Sequence, residues 1–213
     1  MVEGTPFESA VSEVQESSSI YLVISPRSDS RLVAWLEPVL DQGLVACLLL
    51  KSDHGSPIDP DLARHLIGIA HERETPVLLE NNIDAAAELG ADGVEIDADE
   101  SAYQIARQRL GADAMVGARC GTSRHAAMVM AEAGADYVAF DGAQEELIGW
   151  WAEIFEVPCV ASQVDTMEKA RALAQRGADF IAIGDGFLGA TTEAPFDAIS
   201  TLHLSLSRAR TAA

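Results

Sequence analysis

Short apolar runs without internal alternation recur along this chain, each followed by a few polar residues and then by a helical pattern. The clearest instance is residues 90–100, GADGVEIDADE. A helical run, DAAAEL, stops on Gly90, the run GVEI follows at once, and Asp97, Asp99 and Glu100 gather where it ends. Glycine suits the left-handed residue that terminates a helix. A strand starting so soon afterwards must lie back along that helix. The same Gly-Ala-Asp device recurs at Gly111, Gly134 and Gly177, at spacings of 21, 23 and 43 residues, the last close to two units of one period. A unit of about 20–25 residues holding one strand and one crossover helix is the repeat of a parallel α/β barrel.

Read in order, the pattern predicts strands over 20–24, 45–50, 77–79, 93–96, 114–118, 137–140, 159–161 and 180–183. Helices are predicted over 29–40, 61–71, 83–89, 101–110, 123–133, 144–155 and 196–207, with a further one between strands 7 and 8. Leu32, Trp35, Leu36 and Val39 share a helical face in the first, where Pro38 should kink or end the helix. Ala102, Ile105, Ala106 and Leu110 fall on one side of the fourth, and Ile199, Leu202 and Leu206 point inward from the last. Trp150 and Trp151 read as packing residues. Asp165 with Glu168 three residues on is a capping-box signature for the helix after strand 7. Eight strands alternating with eight helices, without a break, make the expectation a TIM (β/α)8 barrel in a single domain over 20–213, with 1–19 as a flexible N-terminal tail.

Composition narrows the setting. The 213 residues, 48% of them hydrophobic, suffice for one domain with a large core. They are slightly few for a barrel of the usual ~250 residues, so its loops must be lean. A net charge of −20 argues against nucleic acid or an anionic membrane surface as partner. No run approaches the ~20 apolar residues of a membrane span. The acidic, Ser-rich start lacks a basic n-region and an apolar h-region, so it is not read as a signal peptide. Cys47, Cys120 and Cys159 have no metal-like spacing, and two fall inside strands, which suggests reduced thiols in a cytoplasmic protein.

In this fold the polar residues after each strand converge on one rim. Lys51 and Arg119 supply positive charge there. Glu80, Asp97, Asp99, Asp141 and Asp185 supply negative charge, and Asn81, Asn82 and Gln163 add neutral hydrogen-bonding groups. Oxygen-rich residues without His or thiolate suit Mg²⁺ rather than zinc; alternatively Asp97 and Asp99 cap the fourth helix and face water. Lys51 either holds an anion or pairs with a neighbouring carboxylate. Arg119, ahead of CGTS, either binds an anion beside a helix N-terminus or neutralises Asp97 or Asp99. The surplus of acid favours the ion pair. His65, His71, His125 and His203 fall on helices, and His54 alone lies near the rim.

The run from Pro76 to Phe187 resembles the thiamine phosphate synthase and thiazole tautomerase-like family. The segment NNIDAAAELGADGVEIDADE is similar to the family's ND-R-V-D…GADGVHLGQ-D pattern, and GADYVAF, PCVA and GADFIAIGDGF follow in family order. The resemblance implies a transferase of thiamine biosynthesis that joins a hydroxymethylpyrimidine pyrophosphate to a thiazole phosphate with the help of Mg²⁺. It implies Lys51 and Arg119 as catalytic residues, and Asp99, Glu80 and Asp97 as metal ligands. Asn81, Asn82, Gln163, Gly184, Asp185 and Gly186 would contact a small phosphorylated substrate, and pairing into a homo-oligomer is expected. Departures are concentrated at the phosphate end. The family's His and Gln after strand 4 become Glu95 and Ala98, its serine after strand 5 becomes Arg119, and the Thr- and Lys-bearing loop after strand 6 is missing. Ser162 and Gln163 replace a glycine pair, and Asp185 replaces a serine. A carboxylate among amides meant for phosphate is repulsive by about a kcal/mol or more at an effective dielectric near 20. The alternative expectation is therefore a non-catalytic or repurposed paralogue that binds a less anionic ligand or acts in regulation. An unrelated Mg²⁺-dependent barrel enzyme is a third.

Overall fold

A computed structural model of the chain describes residues 18–25, 31–52 and 58–209. Its strands are β1 (Ser19–Ile24), β2 (Cys47–Leu50), β3 (Val77–Glu80), β4 (Gly93–Asp97), β5 (Met115–Gly121), β6 (Tyr137–Asp141), β7 (Cys159–Val164) and β8 (Phe180–Ile183). The helices are α1 (Arg31–Asp41), α2 (Pro60–His71), α3 (Ile83–Leu89), α4 (Glu100–Leu110) and α5 (Arg124–Ala133). They continue as α6 (Glu145–Ile154), α7 (Met167–Gln175), α8 (Asp185–Ala190) and α9 (Pro195–Ala209). Each strand pairs parallel with the next, and β1 closes the ring on β8. The expected TIM barrel is therefore present, and every strand delivers its C-terminal end to the same rim.

Alternation along closed strands divides the apolar residues into two shells. Leu22, Leu48, Leu79, Val94, Val116, Val138, Ala161 and Ile181 pack outward under the helices. Tyr21, Leu49, Leu78, Tyr137, Ala139, Val160 and Ala182 fill the barrel interior. By the same parity Lys51, Glu80, Glu95, Asp97 and Arg119 belong to the inward set. That is how scattered polar residues reach one crater. At β4 and β5 the interior is held open for larger neighbours. A Cβ on Gly117 would lie 2.0 Å from the Tyr137 ring, and one on Gly93 1.8 Å from the Met115 carbonyl oxygen.

The helix stops at Gly90, Gly111, Gly134 and Gly177 all take positive φ, between 73° and 98°. The aspartate two residues on has a second use. Asp92, Asp136 and Asp179 accept the backbone N–H of Val77, Val116 and Cys159, at 2.7, 2.6 and 2.8 Å. Each ties the start of one strand to the start of its predecessor. Arg107 of α4 adds a 2.6 Å pair to Asp136.

Several local expectations change. β1 starts at Ser19, and Ser18 Oγ donates to the Ala178 carbonyl at 2.6 Å, so the barrel starts before residue 20. The tail expected over the preceding residues, 1–17, lies outside the described residues, as does His54. Pro38 does not end α1, which runs on to Asp41. On α4 the inward positions are Tyr103 and Ala106, whereas Ile105 is 56% exposed. Tyr103 is drawn in because its hydroxyl donates to the Gly134 carbonyl at 2.7 Å. Thr166, not Asp165, caps α7, its hydroxyl accepting from the Lys169 N–H at 3.2 Å. The GDG after β8 opens an additional short helix, α8, so nine helices are seen among the described residues. Trp151 is fully buried and stacks on Phe155 at 4.0 Å, as a packing role requires. No helix among the described residues is long and apolar enough to cross a membrane.

Candidate active site

A cavity of about 490 Å³ opens at the strand ends. Lys51, Glu80 and Arg119 line one side of it, and Gln163, Asp165 and Asp185 another. Gly184 and Gly186 contribute backbone, Val23 and Leu49 form apolar wall, and Glu95 reaches it from inside the barrel.

Arg119 is committed to its neighbours. Its Nε and Nη2 donate to Asp97 Oδ1 at 2.9 and 2.6 Å, and Nη1 makes a short bond to Glu80 Oε1. Burial opposes the charge on Arg119, but its hydrogen bonds to the Asp97 and Glu80 carboxylates outweigh it and raise its pKa. The ion pair expected across the rim is thus formed to Asp97 and also to Glu80. Asn81 completes the network: its Oδ1 accepts the Asp97 N–H at 2.8 Å, and its Nδ2 donates to Asp97 Oδ2 at 3.1 Å. Asn81 holds φ 48° and Gln163 φ 57°, so two rim residues sit in the left-handed region. That conformation costs a non-glycine residue about 1–3 kcal/mol and clusters at functional sites. Register shifts in β5 between Arg119 and Gly121, and in β7 between Ala161 and Val164, re-aim the same rim. The Lys51 side chain, by contrast, has no hydrogen-bond or ion-pair partner among the described residues, and it lines the mouth of the cavity.

Glu95 is the unforeseen member. It sits mid-strand in GVEI and is only 5% exposed. Its Oε2 lies 3.3 Å from the Tyr21 hydroxyl and 3.2 Å from that of Tyr137, and the two hydroxyls are 2.7 Å apart. Burial, the largest influence, pushes the Glu95 carboxyl up; Arg119 and the Tyr137 hydroxyl pull it down without cancelling the effect. Burial also raises both tyrosines well above the ordinary value. The nearby thiols are no nucleophiles, since burial raises Cys47 and pushes Cys120 up to about 12. The sequence signal for Glu95 is a lone acid inside an apolar strand, and only the strand's parity within the closed barrel shows that it points inward. Ser162 was also missed as a lining residue; its hydroxyl donates to the Phe140 carbonyl at 2.8 Å.

Of the expected site residues, Lys51, Glu80, Arg119, Gln163, Gly184, Asp185 and Gly186 line the one cavity. Asn81 and Asp97 adjoin it through Arg119. Asn82 caps α3, accepting the Ala85 N–H at 3.1 Å, and Asp99 caps α4, accepting the Ala102 N–H at 2.8 Å. Asp141 closes its own turn onto the Ala143 N–H at 2.8 Å. The oxygen donors Glu80, Asp97 and Asp99 have the right chemistry for Mg²⁺. Their arrangement does not fit it. Two are bound to Arg119, one is a helix cap, and no group of three or more His, Cys, Asp or Glu able to hold a metal is found among the described residues.

A closed parallel barrel with a charged strand-end cavity defines the class: a (β/α)8 protein with its ligand site at the C-terminal rim. The thiamine monophosphate synthase family model matches residues 20–187. A thiamine-phosphate synthase of Rhodospirillum centenum is 39% identical over 185 residues, covering 78% of this chain and 87% of the relative. One from Hyphomonas neptunium is 33% identical over 186 residues, covering 78% and 84%. Among solved structures, a thiamine phosphate pyrophosphorylase from Pyrococcus furiosus superposes with TM-score 0.74 at 19% identity, covering 91% of this chain and 98% of that one. An orotidine 5'-phosphate decarboxylase from Pyrococcus horikoshii reaches 0.66 at 14%, over 88% and 99%, a likeness of fold alone. The chain belongs to the thiamine monophosphate synthase family.

Proposed function

We propose that this chain catalyses the family reaction, joining a hydroxymethylpyrimidine pyrophosphate to a thiazole phosphate and releasing pyrophosphate. The observation that carries the reading is family membership over residues 20–187 combined with a cation at the barrel mouth, Lys51, whose side chain has no partner among the described residues. As pyrophosphate departs, its bond to the methylene carbon breaks and negative charge grows on the oxygen that leaves that carbon. A positioned ammonium stabilises that charge more in the transition state than in the ground state. Lys51 is assigned this role. Arg119 is assigned a positioning role: it neutralises Glu80 and Asp97, so the rim on that side repels an incoming anion less. Gln163, Gly184 and Gly186 are assigned to substrate contact, and Asp185 keeps the α8 end of the cavity acidic.

The purified full chain, given both phosphorylated substrates with and without Mg²⁺, should form thiamine phosphate and pyrophosphate. Lys51→Met should lower kcat/KM by about 10²–10³, as removing one charge-stabilising donor does elsewhere, with an unchanged melting curve. No product from wild type at any substrate concentration overturns the reading.

A further inference from the structure

We propose that Lys169 is a positioning residue for the phosphorylated thiazole substrate. From behind the β7 wall its ammonium holds Gln163 in the left-handed conformation in which that wall meets the ligand. The inference deepens the proposed function and rests on it for the choice of ligand.

The 213 residues include two lysines, and both stand at the strand-end rim: Lys51 after β2, and Lys169 in the first turn of α7. A helix favours anions at its N-terminal end and cations at its C-terminal end, so the α7 turn by itself disfavours a lysine there. The stem has a defined path. A Cβ on Gly142, in the turn after β6, would lie 3.4 Å from Lys169 Cε and 2.6 Å from the Ser162 carbonyl oxygen. The stem therefore crosses the ends of β6 and β7 within contact distance of Gly142, and the side chain is only 26% exposed.

Gln163 needs something to hold it. Its φ of 57° is costly for a non-glycine residue and persists only where the surroundings enforce it. The sheet does not enforce it. On the β6 side the register ends at Asp141–Ser162, and on the β8 side it jumps from Ala161–Ile181 to Val164–Ile183. Gln163 is left inside the irregularity without a register partner. Lys169 Nζ comes in from outside the sheet and donates to the Gln163 carbonyl at 3.3 Å. The distance is long for N–H···O, but an ionised donor bonds about twice as strongly as a neutral one. The other contact, to Asp165 Oδ1 at 3.9 Å, is with a carboxylate 60% exposed and adds little. The carbonyl contact is the one with a consequence.

That consequence reaches the cavity through neighbours. Ser162, Gln163 and Asp165 line it together with Gly184 and Gly186, whereas Lys169 stays behind them. When Gln163 relaxes to negative φ, the peptide groups on both sides of it turn, and the wall offered to a phosphate changes shape. Lys51 stands on the other side of the cavity, beyond the reach of that change. Loss of Lys169 should therefore weaken ligand binding and leave the chemical step alone.

The test titrates thiazole phosphate calorimetrically into the full chain and follows turnover with both substrates in parallel. Methionine keeps the stem of Lys169 and its helix propensity, so Lys169→Met should keep the wild-type melting curve. Should it not fold, Lys169→Gln is judged by the same criteria. Lys169→Met should bind thiazole phosphate about fivefold or more weakly, the low end of what releasing one strained residue gives. Its KM for that substrate should rise by the same factor, with kcat unchanged. Lys169→Arg should restore wild-type affinity. Glycine takes positive φ as readily as negative, so in a Gln163→Gly background the Lys169→Met effect should shrink to about twofold or less. Unchanged affinity in Lys169→Met overturns the proposal, as does a fall in kcat instead of a rise in KM. No rescue by arginine, an undiminished effect in the glycine background, or no binding by wild type overturns it equally. Binding that depends on Lys169 without any product removes the reaction alone. Product from wild type, with affinity unchanged in Lys169→Met, removes the tether alone.

Discussion

A single proton on a single carboxyl gives this barrel a measurable signature at the residue scale. The Glu95 carboxyl is raised by burial, so the folded chain holds its proton at pH values where the unfolded chain has lost it. Stability from this group is fully present below the ordinary carboxylate pKa and declines as pH rises through the raised one. In Glu95→Gln this decline is absent. Denaturant midpoints measured from about pH 5 to about pH 8 should fall more for wild type than for the variant; parallel profiles would contradict the assignment. Gly117 matters at the same scale because the Tyr137 ring occupies the space of its missing side chain. Gly117→Ala should cost at least about 1–3 kcal/mol, the usual range for overpacking. Combined with Tyr137→Ala it should show non-additive recovery in a double-mutant cycle, since the ring is what the new methyl meets. Lys51, Glu80 and Arg119 were legible in the sequence because each ends an apolar run. Glu95, Tyr21 and Tyr137 were not: their meeting across the barrel depends on register among three strands far apart in the chain.

Among the elements, the Gly-Ala-Asp turn does two jobs, and only one of them could be read in advance. Glycine at positive φ ends the helix, a backbone property visible in any sequence. The aspartate's bond to the start of the preceding strand needs the sheet neighbour, which topology alone supplies. Asp136→Ala would leave the N–H of buried Val116 without its acceptor and Arg107 without its carboxylate. An unpaired buried donor costs about 1–3 kcal/mol, so its thermal midpoint should fall while the strand-end cavity keeps its ligand affinity. Equal stability to wild type would deny these turns a part in holding the barrel floor. The α8 helix escaped prediction for a propensity reason: DGFLGA carries two glycines, each disfavoured by about 1 kcal/mol. Burial of Phe187 holds it instead. At α7, Asp165 and Thr166 are both able to cap, and the geometry after β7 chose the second.

For the molecule as a whole, charge is the dominant long-range feature. A net charge of −20 on 213 residues makes the folded state repel itself. Many of the ion pairs seen, such as Arg64–Asp61 and Arg109–Asp84, are exposed and add little. Screening should therefore help more than it harms. Raising ionic strength from about 0.01 M to about 0.15 M, which shortens the Debye length from roughly 30 to 8 Å, should raise the thermal midpoint. A decrease would mean that the pairs outweigh the repulsion.

Ring closure between the first and last strands carries a consequence for synthesis. Ser18 bonds Ala178 across 160 residues, and β1 has its second partner only in β8. While a ribosome is still translating, the nascent chain must carry β1 with one edge unpaired, an invitation to wrong partners. The rim lies under the same delay: Asp185, Gly184 and Gly186 leave the exit tunnel last among its members, so a truncated product stopping before them would own Lys51 and Arg119 yet have no pocket to put them in.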